Sequence, residues 1–378
     1  MDVFSACPNQ QLPAGGRTEN HALNNSTIVA DGGEPASLDT PYTGRMPPPP
    51  DAVIFQLLFG KVTCFALGAL ARIGVADHMS DDPLSVEQIA ATSGTHAPSL
   101  YRVLRTLASF GVFTESPGRN FALTPVGRLL RSDARGSLRN MAIMNTDHWM
   151  VEAYRHMDHC IRTGGDGVTA AFGKHTFELF RDIPEQAETF HRAMTDFTAI
   201  LVEELLPVAD FAGFRRMADV GGGHGTLIRR VLGAFPNLQG VLFDLPEVAA
   251  GASPAERLSI ETGSFFEKVP AGCDAYIMKH IIHDWDDGSC RRILSLMRDE
   301  LAKMVPEMGR IFLAEMVVGT TSEPSPAKLL DMEMLVGTVG GKERTEVEFA
   351  ELFAGAGLKL LSITPTHSPV CLIEAGLA

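Results

Sequence analysis

The sequence predicts an α/β protein: a doubly wound parallel sheet in the second half, preceded by a helical stretch and a front domain patterned as a winged helix. Three observations carry this expectation. From residue 207 onward, short apolar runs alternate with helical periodicity, as in strands joined by crossover helices. The stretch Asp219-Val220-Gly221-Gly222-Gly223-His224-Gly225-Thr226 places four glycines between a strand pattern and a helix pattern. At 378 residues the chain exceeds one ordinary core, so two domains are the default.

In order along the chain, residues 1–50 hold eight prolines and few large apolar side chains. Such a segment buries too little surface to offset its ordering entropy, and a disordered extension is expected. From Asp51 to Ile73, apolar residues recur on more than one helical face, with Lys61 and Arg72 the only basic residues. A helix apolar nearly all round must be covered, and a second copy of the chain is the plainest cover, so a homodimer is expected.

Residues 80–131 read as the winged helix. Ser85 with Gln88 forms a capping box, and Pro98 starts a second helix whose Leu100, Val103, Leu104, Leu107 and Phe110 are expected to face one core. Ser116-Pro117-Gly118-Arg119 joins two strand patterns as a hairpin. The second helix offers only Arg102 and Arg105, too little basic charge for DNA, so the front domain reads as structural or dimerising. These patterns divide the chain at 51–135 (dimerisation), 136–206 (helical linker and substrate cap) and 207–378 (ligand-binding sheet).

Residues 137–206 are rich in Met, His and aromatic side chains, including Phe190 and Met194, and suit an apolar planar ligand. His156 and His159 share a helical face but lack an obvious third metal ligand. Beyond Pro207, strands are expected at 217–220, 241–244, 258–262, 275–278, 311–315, 359–364 and 370–374, seven in all.

Composition narrows the function. A formal charge of −14 argues against a nucleic-acid partner and fits an uncharged or cationic small molecule. No apolar run reads as membrane-spanning, and no secretory signal is evident. Six scattered cysteines without a C-x-x-C pair read as reduced thiols in a cytoplasmic protein.

The glycine run does not match the spacing of a dinucleotide fingerprint, and it has no P-loop lysine. What remains is Asp219 followed by glycine at 221, 223 and 225, with a second strand ending at Asp244, whose carboxylate is placed to accept two ribose hydroxyls. This resembles the first motif of class I S-adenosylmethionine-dependent methyltransferases. Past the fourth strand lie His283-Asp284-Trp285, past the fifth Glu315, and before a later helix Gly341-Lys342-Glu343-Arg344-Thr345. In that order and spacing, over residues 51–378, the motifs resemble the plant-type small-molecule O-methyltransferases and their microbial relatives.

The resemblance implies a Rossmann-like class I methyltransferase domain behind an N-terminal all-helical, winged-helix dimerisation domain, with S-adenosyl-L-methionine as cofactor and no metal. It implies His283 as general base, flanked by Glu315 and Glu343. It places Gly221, Gly223, Asp244, Leu245, Ser264, Phe265, Lys279 and Thr198 at the cofactor, and Phe190, Met194, Asp284 and Met334 at an aromatic substrate. Two positions depart from the family pattern: Ser264 stands where plant members usually carry an adenine-contacting aspartate, and His280 replaces a frequent tryptophan. Two other functions remain open on the same residues. One is a relative that uses the cofactor structurally for decarboxylation or hydroxylation of a polycyclic substrate; the other is a cofactor-sensing winged-helix regulator.

Overall fold

Seven strands form the larger sheet: β4 (Arg216–Val220), β5 (Gln239–Asp244), β6 (Leu258–Thr262), β7 (Ala275–Lys279), β8 (Arg310–Met316), β9 (Leu358–Pro365) and β10 (Val370–Leu377). They follow a smaller front sheet of β1 (Leu84–Ser85), β2 (Phe113–Ser116) and β3 (Asn120–Leu123). The computed structural model describes residues 49–304 and 307–378, so the expected extension over 1–50 lies outside the described residues except for its last two prolines.

The larger sheet is ordered β6-β5-β4-β7-β8-β10-β9. The chain starts at β4, winds outward through β5 and β6, then returns to the other side of β4 as β7. The gap between the carboxyl ends of β4 and β7 is therefore the topological switch point, where ligands of such sheets bind. All seven expected strands are present. The expectation of an all-parallel sheet is corrected at one edge, where β10 runs antiparallel to both β8 and β9. The four-residue connection between β9 and β10, residues 366–369, is too short for a parallel crossover, which needs a dozen residues or more.

Period-two alternation decides the two cores. Ala218, Val220, Val241, Phe243, Met278, Ile311 and Leu313 point to one face, covered by helices Asp287–Met304 and Glu346–Gly355. Met217, Leu242, Ile277, Phe312 and Ala314 point to the other, against Leu227, Ile228 and Val231 of helix Thr226–Ala234. Both faces are apolar, so the strands read as near-continuous hydrophobic runs.

In the front domain Ser85 and Gln88 form the expected reciprocal capping box. Leu100, Leu104 and Leu107 are buried with Phe113 and Phe121. Phe110, expected in that core, is 66% exposed. The helix ends at Ala108, so helical spacing no longer governs position 110.

Helix Pro50–Ile73 forms as expected. Residues 63–378 make up one unit, and the helix up to Val62 belongs to another. Its 24 residues are long and apolar enough to cross a membrane by length and composition, which corrects the reading that no run reaches that length. Ile54, Phe55, Leu57, Leu58, Phe59 and Phe65 are exposed along it.

Candidate active site

The glycine turn is built by strain that only its residues tolerate. Gly221 sits at φ 74°, and a Cβ there would come within 2.6 Å of the Ile281 side chain. The backbone thus lies open at the end of β4, and helix Thr226–Ala234 starts directly behind it with no side chain capping its N-terminus at Gly225. Asp244, at the end of β5, is held by backbone donors: Gly223 N–H to Oδ2 at 2.8 Å and Leu245 N–H to Oδ1 at 2.7 Å. Burial pushes its carboxyl upward against those bonds.

A cleft opens at this turn. Gly221, Gly222, Gly223, Asp219 and Lys279 line it from the sheet, and His191, Met194, Thr195 and Thr198 from helix Pro184–Leu205. His224, Thr226, Leu227 and Val248 complete it. Asp219 is fully buried, and desolvation raises its carboxyl to about 7 despite the opposing charge of Lys279. Its Oδ2 has no hydrogen-bond partner.

Next to it, past β7, a short 3₁₀ turn over Ile282–Asp284 carries His283. Its Nδ1–H donates to Glu343 Oε1 at 2.6 Å, and Glu315 Oε2 lies 3.6 Å from the same nitrogen. Asp284 Oδ1 is 3.6 Å from Nε2. Glu315 is itself anchored, its Oε1 accepting the N–H groups of Ile281 and Ile282 at 3.0 and 2.9 Å. Glu343 is aligned through its backbone N–H, which donates to Asp331 of helix Pro326–Gly337.

Electrostatics follow from this crowding. Burial alone would drive the imidazolium to lose its proton, but Glu315, Asp284 and Glu343 together outweigh it and raise His283 to about 10. Asp284 and Glu315 are pushed upward by the same desolvation, Asp284 to about 6. His280, its ring 4.8 Å from His283, is lowered well below the ordinary histidine value by burial and by the charges of Lys279 and His283. Lys279 connects the two halves: burial lowers it, while Glu315, Asp219 and Asp284 hold its charge.

The loop that delivers Glu343 is locked. Arg344 is 1% exposed and donates to the carbonyls of Ile282 and Trp285, both at 2.9 Å, and to Asp287. A Cβ on Gly341 would come within 2.4 Å of the His283 carbonyl oxygen. Asp286 caps helix Asp287–Met304, whereas Asp287 pairs with Arg344. Replacing Arg344 by methionine leaves the Ile282 and Trp285 carbonyls with only weak donors, chiefly the shared Cys290 thiol, at a cost of about 1–3 kcal/mol each. Chemical denaturation is expected to show a loss of roughly 2–4 kcal/mol, with Arg344→Lys falling between the two.

The sequence-predicted residues divide as follows. Gly221, Gly223, Lys279, Thr198 and Met194 line the cleft directly. Asp244 braces its glycine loop, Phe265 lies against Gly221, and Ser264 accepts the Phe266 N–H. Leu245 is 38% exposed beside Asp244. Phe190 sits in an aromatic cluster with Trp149, Phe177 and Phe180, and Phe177 stacks on Trp285. Met334 is buried on the helix that supplies Asp331. His159 is exposed and His156 half-buried near Glu152. Asp219, His191, Thr195, His224 and Val248 were not anticipated as cleft residues. Asp219 and His224 lay inside the glycine motif itself, whereas His191 and Thr195 gave no sequence signal.

Residues 154–359 match the family described as O-methyltransferase domain, and residues 55–133 match the O-methyltransferase dimerisation domain. The chain belongs to the O-methyltransferase family. Phenazine O-methyltransferase PhzM of Lysobacter antibioticus is 35% identical to it, over 86% of this chain and 96% of that protein. The 8-amino-8-demethylriboflavin N,N-dimethyltransferase of Streptomyces davaonensis is 34% identical, over 85% and 94%. CalO1, a methyltransferase in calicheamicin biosynthesis solved in its SAH-bound form, aligns with a TM-score of 0.78 at 32% identity, over 87% and 98%. This O-methyltransferase is S-adenosylmethionine-dependent. Its own residues fit the cofactor: an open glycine backbone at a helix N-terminus, a carboxylate at the end of the next strand, and an orphaned buried Asp219 oxygen.

Proposed function

We propose that this enzyme methylates a hydroxyl of an aromatic small molecule, with His283 as the general base. The observation that carries the reading is the His283 Nδ1 bond to Glu343 at 2.6 Å, with Glu315 behind it, on the edge of the sheet that also holds the glycine turn. Ile281, two residues before His283, packs against Gly221 and ties base and cleft together.

S-adenosylmethionine supplies an electrophilic sulfonium methyl. The chain holds it with Gly221, Gly223, Asp244, Leu245, Ser264, Phe265, Lys279 and Thr198. Phe190, Met194, Met334 and Asp284 border the acceptor, and the aromatic cluster around Trp285 excludes water. A phenol with pKa about 10 is largely neutral at pH 7, so the attacking oxygen gains from losing its proton to His283 Nε2 as the bond to methyl carbon forms. Glu343 and Glu315 hold the ring by Nδ1 and stabilise the imidazolium that results.

Homologues named for phenazine and aminohydroxybenzoate substrates support a fused or substituted aromatic acceptor in secondary metabolism. We further assign residues 51–135 to dimerisation, 136–206 to the substrate cap and 207–378 to cofactor binding, in a cytoplasmic homodimer. Incubation with methyl-labelled S-adenosylmethionine and a panel of phenols, fused-ring hydroxyls and anilines tests this. Mass gain of one methyl on a hydroxyl, with stoichiometric release of demethylated cofactor, is expected; transfer to anilines alone would overturn the oxygen acceptor.

The carboxylates make a pH signature. A raised His283 is protonated at neutral pH, so the base form grows as pH rises and the rate should still climb between pH 7 and 9. Glu343→Gln removes one charge that holds the proton, so the His283 value falls and the climb shifts to lower pH. A wild-type profile already flat at pH 7 would contradict this.

A further inference from the structure

Two observations around His283 remain unused by the methyl-transfer chemistry. His280 and Glu315 each bury a polar atom, Nε2 and Oε2, without a hydrogen-bond partner, and Glu343 Oε2 is in the same position. Donor atoms of His280, His283 and Glu315 also lie within 4.8 Å of one another. The side chains are 5%, 8% and 1% exposed.

The spacing has a chemical meaning. Glu315 Oε2 stands 3.7 Å from His280 Nδ1 and 3.6 Å from His283 Nδ1. A tetrahedral zinc ion, with bonds of about 2.0–2.2 Å, separates neighbouring donors by about 3.3–3.6 Å. Glu315 is already fixed as a single-oxygen ligand, because its other oxygen accepts two backbone N–H groups. His280 is held at φ 51°, and its ring lies 4.8 Å from that of His283. Glu343 Oε1 shares the His283 Nδ1 proton at 2.6 Å and stands beside this three-residue cluster.

We propose that His280, His283 and Glu315, with Glu343 beside them, form an inhibitory site for a borderline divalent transition ion such as Zn²⁺. Coordination at His283 Nδ1 displaces the proton shared with Glu343 to solvent and withdraws electron density from the ring, so the imidazole loses its basicity. Two imidazoles favour zinc or cobalt over magnesium, which demands oxygen ligands. Binding stands on geometry alone; only the inhibition rests on His283 being the base.

The test uses the full-length enzyme and Co²⁺ as a spectroscopic probe, with Zn²⁺ for inhibition. Expected are d–d bands without sulfur charge-transfer absorption, Zn²⁺ inhibition reversed by a chelator, and no effect of Mg²⁺. His280→Asn keeps a residue that tolerates positive φ but removes a ligand. It should retain methyl transfer while binding Co²⁺ at least about 100-fold more weakly, beyond the about 10–100-fold that loss of an outer partner causes. Unchanged Co²⁺ affinity in His280→Asn, or bands dominated by thiolate charge transfer, would overturn the site. Nitrogen-type Co²⁺ binding without inhibition would support the site and overturn the general-base reading.

Discussion

His283→Ala is expected to lower the methyl-transfer rate by about 10²–10⁴-fold, the usual worth of a positioned proton acceptor, while cofactor affinity stays nearly unchanged. The separation of the two effects follows from the layout. His283 stands on the 3₁₀ turn past β7 and does not line the glycine cleft, which is built from the end of β4 and from helix Pro184–Leu205. Residual turnover should come from holding the reactants in line, which the substitution leaves intact. The loss should also shrink at high pH, where a phenol ionises without help. Calorimetric titration of the cofactor together with single-turnover rates checks both parts. A drop in cofactor affinity matching the drop in rate would mean that His283 is structural.

Asp244→Ala carries the second large effect, in the opposite column. Each charge-assisted bond from its carboxylate is worth about 1.5–3 kcal/mol, and two ribose hydroxyls are the expected donors. Truncation also releases the Gly223 and Leu245 N–H groups that now fix the loop. Cofactor affinity should fall by roughly 10²–10³-fold, equivalent to about 3–4 kcal/mol. The rate at saturating cofactor should fall much less, because the base cluster around His283 is untouched. Asp244→Asn, which keeps two acceptor lone pairs on one atom, should lie between. A cofactor Kd within threefold of wild type in Asp244→Ala would refute the ribose contact.

How much of this was legible in the sequence depends on the range of the interaction. Strands β4 to β10 were readable because both faces of the sheet are buried, so apolar runs bounded by turn residues recur at crossover spacing. The capping box at Ser85 was readable because an N-cap interaction spans only three residues. Gly221, Asp244, His283 and Glu315 were readable because each falls at the carboxyl end of a strand or just past it. The antiparallel edge was less visible, since strand direction depends on the length of a connection whose boundaries shift by a few residues. Phe110 failed for a related reason: helical period was extended two residues past the helix end.

Residues set by tertiary approach were the hardest to foresee. His191 and Thr195 reach the cleft because helix Pro184–Leu205 crosses the glycine turn, which no local spacing encodes. Arg344 stood in the Gly341–Thr345 motif without an assigned role, yet its guanidinium bridges the carbonyls of Ile282 and Trp285. The pairing of His280 with His283 through Glu315 joins residues 32 to 35 positions apart, and their shared geometry emerges only when β7 and β8 lie side by side.

The central claim is that base and cofactor face one acceptor oxygen from neighbouring strand ends. A crystal structure of the enzyme with the demethylated cofactor and a phenolic acceptor measures this directly. The account predicts the acceptor oxygen within about 2.6–3.2 Å of His283 Nε2, on the line from the cofactor sulfur. An acceptor oxygen turned away from His283, or a cofactor sulfur on the far side of the sheet from it, would contradict the account.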